Sequence, residues 1–229
     1  MKVRLLIPAA GMGTRLGCDM PKALIPLEGQ PMLVRTLERF RALGLIEGAA
    51  VTVPPGREGE FRKVLDEAYP GVALSLVAGG AERQDSVARG LDALDADTDI
   101  VVIHDAARPF VSAESVRASI EAAAECGAAT VAVPCIDTIL QADGERYLID
   151  TPDRRTLWAC QTPQTFRFEV IRAAHEAARR ERYTGTDDAS LVRRAGGRVR
   201  LVMGAPLNFK VTTPADRAMA ESVIREGLA

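Results

Sequence analysis

Short, continuous apolar runs alternate with amphipathic helical patterns along most of this chain, and that alternation constrains its fold more than any other feature. Val3 to Pro8 reads as a strand, and Pro31 to Leu43 as a helix with Leu33, Leu37 and Phe40 on one face. The pattern continues with a strand at 49–53, a helix at 58–69, a strand at 73–77 and a helix at 86–94. A strand at 100–104, a helix at 115–126 and a strand at 130–133 follow. Strands that are apolar on both faces, separated by helices, indicate a parallel sheet covered on both sides. The chain is therefore predicted to be α/β, a Rossmann-like doubly wound, mostly parallel sheet with helices on both faces. Ligands in such sheets bind beyond the carboxyl ends of the strands. Three of those ends carry unusual loops, at 9–22, 78–86 and 104–110.

The alternation breaks between Cys135 and Trp158, where Asp143-Gly144 lies between short apolar segments and signals a β-hairpin. A lone hairpin buries little, so this protruding arm needs something to pack against, and a second subunit is a candidate. Helical patterns at 167–181 and 187–195, a strand at 198–202 and a helix from Pro214 complete the chain. The 229 residues are read as one domain, 1–229, with 135–158 as the β-arm. No fused second enzyme is expected. A net charge of −2 gives no bulk electrostatic case for nucleic acid or an anionic membrane. No apolar run approaches a membrane span, and Pro8, Gly11 and Gly13 interrupt any signal-peptide core. The four cysteines show no C-x-x-C spacing, and the two histidines belong to no metal motif, so a reduced cytoplasmic protein is expected.

The first loop, "AAGMGTRLGCDMPK", follows a strand and gathers three glycines, an arginine and a lysine. It fails the dinucleotide fingerprint, because Leu16 stands where the third glycine belongs and no helix follows directly. It also fails the Walker pattern, having no Gly-Lys pair. What remains is G-x-G-x-R followed by P-K. Gly11 and Gly13 let backbone approach a polyphosphate, while Arg15 offers a fork of donors and Lys22 a compact charge. The alternative is a glycine-rich turn with two solvated cations. This loop resembles that of the nucleotidyltransferases that activate sugar and polyol phosphates.

Three other stretches bear on chemistry. In "AGGAERQDSV", Asp85 or Ser86 caps a helix, or Ser86 and the backbone meet a base edge, with Arg83 supporting the loop or approaching phosphate. In "HDAARPF", Asp105 and Arg108 either pair structurally or orient a substrate and hold a second anion. His104 is read as packed rather than catalytic. In "NFKVTTPADR", Thr213 and Asp216 form a helix start, leaving Lys210 to face the site. Thr186 is an N-cap, or its hydroxyl or helix N-terminus meets phosphate.

Taken in order, "PAAGMGTR", "PK", "GGAERQDSV", "HDAARPF", "LWACQTPQTF", "TDDAS" and "FKVTTPAD" resemble the 2-C-methyl-D-erythritol 4-phosphate cytidylyltransferase family over essentially the whole chain. The resemblance implies transfer of CMP from CTP to that polyol phosphate, with pyrophosphate released, in isoprenoid precursor biosynthesis. It implies that Arg15, Lys22 and Lys210 are catalytic, gripping the triphosphate. Pro8, Ala9, Ala10, Gly11 and Gly13 would bind the nucleotide, together with Gly80, Ala81, Ser86, Asp105 and Ala106. Asp105, Arg108, Thr138, Arg154, Thr162 and Thr186 would hold the acceptor. Thr138 and Arg154 flank the arm, which in the family interlocks two subunits and reaches the partner's site. Magnesium would be held mainly by the CTP phosphates, with no dedicated protein cage. The sequence departs from the family pattern twice: Ala23-Leu24 follows P-K where many relatives have Gln-Tyr, and Ala81 stands where some carry Asp, leaving base selection to backbone groups and Ser86. The rival readings are a cytidylyltransferase for another polyol phosphate, such as ribitol 5-phosphate, and a nucleotide-binding regulator without turnover.

Overall fold

A computed structural model describes residues 1–228. The elements run β1 (Val3–Pro8), β2 (Pro26–Leu27), β3 (Gln30–Pro31), α1 (Met32–Arg41), β4 (Ala50–Val53), α2 (Glu58–Ala68) and β5 (Ser75–Ala78). There follow α3 (Arg83–Asp92), β6 (Ile100–Ile103), α4 (Ala113–Cys126), β7 (Ala128–Pro134), β8 (Gln141–Ala142) and β9 (Leu148–Asp150). The chain then forms β10 (Trp158–Arg167), α5 (Phe168–Glu181), α6 (Asp188–Arg194), β11 (Arg200–Met203) and α7 (Pro214–Arg225).

Seven strands form one sheet in the order β11-β7-β10-β6-β1-β4-β5, parallel except for β10, which is antiparallel to both neighbours. The period-two alternation of β1 shows why both faces must be covered. Leu5 and Ile7 pack with Leu37, Phe40 and Phe61 from α1 and α2, whereas Leu6 packs with Val87, Leu91 and Ile171 from α3 and α5. All three β1 residues are fully buried. A third apolar cluster joins Leu16 of the first loop, with Ile25 and Leu27 just after it, to Phe110, Val211 and Val223. It anchors the loops at the carboxyl edge of the sheet to α7. Among the described residues no helix is long and apolar enough to cross a membrane.

The structure differs from the sequence reading at three places. The stretch 158–167, to which the sequence pattern assigns no element past Trp158, is a central strand. Its residues Gln161 to Thr165 look too polar for that position, and Pro163 argues against a strand. Pro163 lies where the register shifts between Cys160 and Gln164, and the buried polar groups find partners: Thr165 with Ser119, Gln164 with Thr130, Gln161 with Asn208. Second, α3 begins at Arg83, not Ser86. Glu82 is its N-cap, in a reciprocal capping box with Asp85. Third, the hairpin connection is longer than a two-residue turn. The Asp143 carboxylate accepts from the amides of Glu145 and Tyr147, and Arg146 takes a left-handed φ of +72°. The arm is otherwise extended and bare, every residue from 136 to 151 being exposed.

Helix α3 crosses β1 closely enough that a Cβ on Gly90 would meet Leu6 Cδ1 at 2.3 Å and Thr52 Cγ2 at 3.1 Å. Gly90→Ala gains helix propensity but overpacks that contact, so it is expected to lose about 1–2 kcal/mol net. A urea melt should show a lower midpoint with an unchanged slope.

Candidate active site

The loop after β1 is closed on itself by backbone. The Lys22 amide donates to Gly11 O at 3.0 Å, and the Gly13 amide donates to Met20 O at 2.9 Å. That pinch leaves Arg15 at the far end of the loop and brings Lys22 back beside its start. A Cβ at Gly11 would meet nothing within 4 Å, because the position opens onto a cavity. Gly13 does something else: a Cβ there would lie 2.9 Å from Ile25 Cδ1 and 3.0 Å from Met20 O, and the residue does not line the cavity. Its smallness serves the closure of the loop.

The second loop packs against the first through Gly79, where a Cβ would come within 2.5 Å of the Ala10 Cβ. Ser86 holds this loop's shape: its hydroxyl accepts from the Gly80 amide and donates to Glu82 O, both at 3.1 Å. The Ser86 hydroxyl proton is thus spent on the fold, although the residue lines the cavity.

The third loop carries the charges. Asp105 is buried, and its carboxylate meets Lys210 Nζ at 2.9 Å, Arg83 Nε at 3.3 Å and Arg108 Nε at 3.5 Å. Burial alone would raise its pKa, but Arg83, Lys210 and Arg108 hold it far below the usual carboxylate range. Helix α1 props the same loop from behind, Thr36 donating to Ala106 O and Arg39 to Pro109 O. His104 is fully buried. Its Nε2 lies 3.0 Å from Arg108 O and its Nδ1 3.0 Å from Thr162 Oγ1. A carbonyl only accepts, so Nε2 carries the proton and Nδ1 accepts from the Thr162 hydroxyl. Burial brings this imidazole down to a pKa of about 4, so it is neutral and structural.

Two cavities meet at this carboxylate. One, of about 280 Å³, is lined by Pro8 to Gly11, Arg15, Lys22, Gly80, Ala81, Ser86, Asp105, Ala106 and Lys210. The other, of about 250 Å³, is lined by Arg108, Thr162 and Thr186, with Cys160, Gln161, Gln164 and Asp187. Arg83, Asp105 and Lys210 belong to both walls. The expected nucleotide residues, Gly13 apart, therefore gather in the first cavity. Four of the six expected acceptor residues reach the second, Asp105 from the shared wall.

Thr138 and Arg154 line neither cavity of their own chain. Both are exposed at the arm, where Arg154 Nη1 donates to Ile136 O. The N-terminus of α6 is closed as well. Gln164 Oε1 accepts from the amides of Asp188 and Ala189, and the N-cap is Asp187 rather than Thr186. Gln164 and Asp187 escaped the sequence reading as site residues although both lie inside quoted motifs. An uncharged amide in a strand and an acid near an expected anion gave no reason to select them. The sequence marks Arg83 as a candidate for its loop, but its place between the two cavities needs three elements that only the fold brings together.

A profile of the 2-C-methyl-D-erythritol 4-phosphate cytidylyltransferase family matches residues 3–226. The chain belongs to this family. A cytidylyltransferase of that description from Geobacter metallireducens is 45% identical over the full length of both chains. Another, from Syntrophotalea carbinolica, is 46% identical over 98% of this chain and 97% of its own. Among solved structures, the family's enzyme from Thermus thermophilus superposes with a TM-score of 0.82 at 39% identity, over 98% of this chain and 100% of that one. The 4-diphosphocytidyl-2C-methyl-D-erythritol synthase from Anaerococcus prevotii gives 0.85 at 28% identity, covering 98% of each chain.

In this cytidylyltransferase the free cavity is electrostatically uncomfortable for its own cations. Lys22 is brought down to a pKa of about 8, first by partial burial and then by Lys210 and Arg15, with Asp105 and Asp216 opposing. A lowered folded-state value means that, between about 8 and 10.5, the unfolded chain holds a proton here that the folded chain has lost. Stability should therefore rise with pH across that window, and charged Lys22 weakens the fold below it. Allowing for solvent screening of a partly exposed group, Lys22→Met should stabilise the free protein by about 1–2 kcal/mol at neutral pH. Thermal melts of both proteins should show this advantage shrinking as pH climbs through 8 toward 10.5.

Proposed function

We propose that this chain transfers CMP from CTP to 2-C-methyl-D-erythritol 4-phosphate, releasing pyrophosphate, a step in isoprenoid precursor biosynthesis. The observation that carries this reading is the pair of adjoining cavities with one shared wall of Arg83, Asp105 and Lys210. A triphosphate in the first cavity lies against Arg15, Lys22 and Lys210, and a phosphorylated acceptor in the second lies against Arg108. The acceptor's phosphate oxygen is already anionic, so the chemistry calls for no general base. It attacks the α-phosphorus in line, and the fixed cations stabilise charge that grows on the α-phosphoryl and pyrophosphate oxygens. Neutral His104 stays out of the reaction.

Magnesium fits the same site as a guest of the nucleotide. Asp105, the carboxylate common to both cavities, is already held by three cations, so the triphosphate and water would supply most of the ion's ligands. When bound, the ion would neutralise triphosphate charge. A cytoplasmic location accords with the four free cysteines.

A homodimer through the arm belongs to this proposal. The arm exposes Ile136, Leu140, Tyr147, Leu148 and Ile149, a set that a second copy would cover. Its Thr138 and Arg154 would then serve the partner's acceptor cavity. A transferase for another polyol phosphate would use the same nucleotide cavity and differ in the second. A regulator without turnover would have no use for three cations about a triphosphate.

Pyrophosphate release measured with four nucleoside triphosphates against several polyol phosphates, ribitol 5-phosphate included, should select CTP and methylerythritol phosphate. Lys22→Ala should cost about 2–4 kcal/mol of transition-state stabilisation, read as kcat; turnover at the parent rate would remove Lys22 from the mechanism. For the arm, Lys22→Ala and Arg154→Ala proteins are each expected to be poorly active. Mixed and allowed to exchange subunits in equal amounts, they should recover about one quarter of parent activity, because each heterodimer has one intact site. No recovery after demonstrated exchange would mean that Arg154 serves its own chain.

A further inference from the structure

Behind the shared wall runs a line of alternating charges that leads away from both cavities. Lys210 and Arg83 meet opposite oxygens of Asp105, Lys210 at Oδ2 and Arg83 through Nε at Oδ1. Arg83 Nη1 donates to Asp188 Oδ2 at 2.7 Å, and the other oxygen of Asp188 lies 3.1 Å from His175 Nε2. Asp188 is 1% exposed and His175 6%, and neither lines either cavity. A carboxylate buried so deeply is unfavourable unless a cation and hydrogen bonds hold it. Capping of α6 does not explain it, because the Asp187 side chain caps that helix and Gln164 accepts from the Asp188 amide. What Asp188 does hold is the guanidinium of Arg83. Without that anchor, Arg83 keeps one carboxylate partner and is free to turn into the nucleotide cavity that it already borders.

We propose that Asp188, backed by His175, is a positioning residue for nucleotidyl transfer, fixing through Arg83 the orientation of Asp105 and, with it, of Lys210. This rests on the functional reading above. The chain of contacts joins α5, α6, α3, the loop after β6 and the segment before α7. It ties a lysine that lines both cavities to two buried residues that line neither. A planar guanidinium shared between two carboxylates has its rotation fixed, as a lysine in its place would not.

A double-mutant cycle tests the inference, using Asp188→Asn, Arg83→Met and the combination, with folding checked by urea melts. Parent turnover belongs to the functional reading; the inference is read from ratios among the variants in whichever nucleotidyl transfer the parent performs. Asp188→Asn should lower kcat/KM by about tenfold to a hundredfold for both the nucleotide and the acceptor, because Asp105 serves both cavities. In the Arg83→Met background the same change should cost less than about twofold. Equal factors in the two backgrounds, parent kcat/KM in folded Asp188→Asn, or a loss confined to the acceptor would each overturn the proposal. The last would mark only a disturbed start of α6, next to Thr186 and Asp187 at the acceptor cavity. Should Asp188→Asn not fold, His175→Gln reads the same chain one step further out. It should cost about three- to tenfold in the parent and nothing with Arg83→Met, and equal costs would overturn the proposal.

Discussion

One buried carboxylate with three cations around it organises this molecule's working edge. Asp105 draws Arg83 from α3, Arg108 from its own loop and Lys210 from the segment before α7 to within 3.5 Å of itself. Without that anion the same cations would repel one another across a partly desolvated space. Nearby, burial first and then Lys210 and Arg15 already lower the pKa of Lys22, with Asp105 opposing. With the anion, the three cations stand fixed and leave a net positive surface toward both cavities. Donors held before the reaction begins do not have to reorganise as charge moves, and this is the chief source of electrostatic catalysis.

Around that centre, hydroxyl and amide groups are committed to the protein rather than left for ligand. Thr162 accepts from the Asp105 amide and donates to His104. Ser86 stitches Gly80 to Glu82, and Thr36 holds Ala106. These groups line or back the site without offering a spare proton to it. Ligand recognition is thereby weighted toward charged side chains and free backbone, which suits a phosphorylated substrate at each cavity.

Much of this was legible in the sequence, for identifiable reasons. β1, α2, α7 and the capping box of Thr213 with Asp216 follow rules of pattern and capping that act within a few residues, and they stand where the sequence puts them. Arg15, Lys22 and Lys210 were readable as candidates because cations next to glycines or at strand ends have few local uses. β10 was hidden, because its buried residues are satisfied by Ser119, Thr130 and Asn208, partners far away in sequence. Gly13 was misread for the opposite reason: a local pattern suggested a ligand contact where the need is a close approach to Ile25 and Met20. The arm's Thr138 and Arg154 line neither cavity of their own chain, so their place in a site is not legible from one chain's pattern.

The position of β10 also sets an order of assembly. β7 and β11 join the rest of the sheet only through this strand, yet the whole arm, residues 135–157, separates it from the end of β7. As the chain leaves the ribosome, β1, β4, β5 and β6 have their parallel partners before residue 104 has been made. β7 emerges with nothing to pair with, and β6 presents a bare apolar edge until residue 167 arrives. A nascent or truncated chain ending inside the arm is therefore an open sheet, a template for wrong pairing.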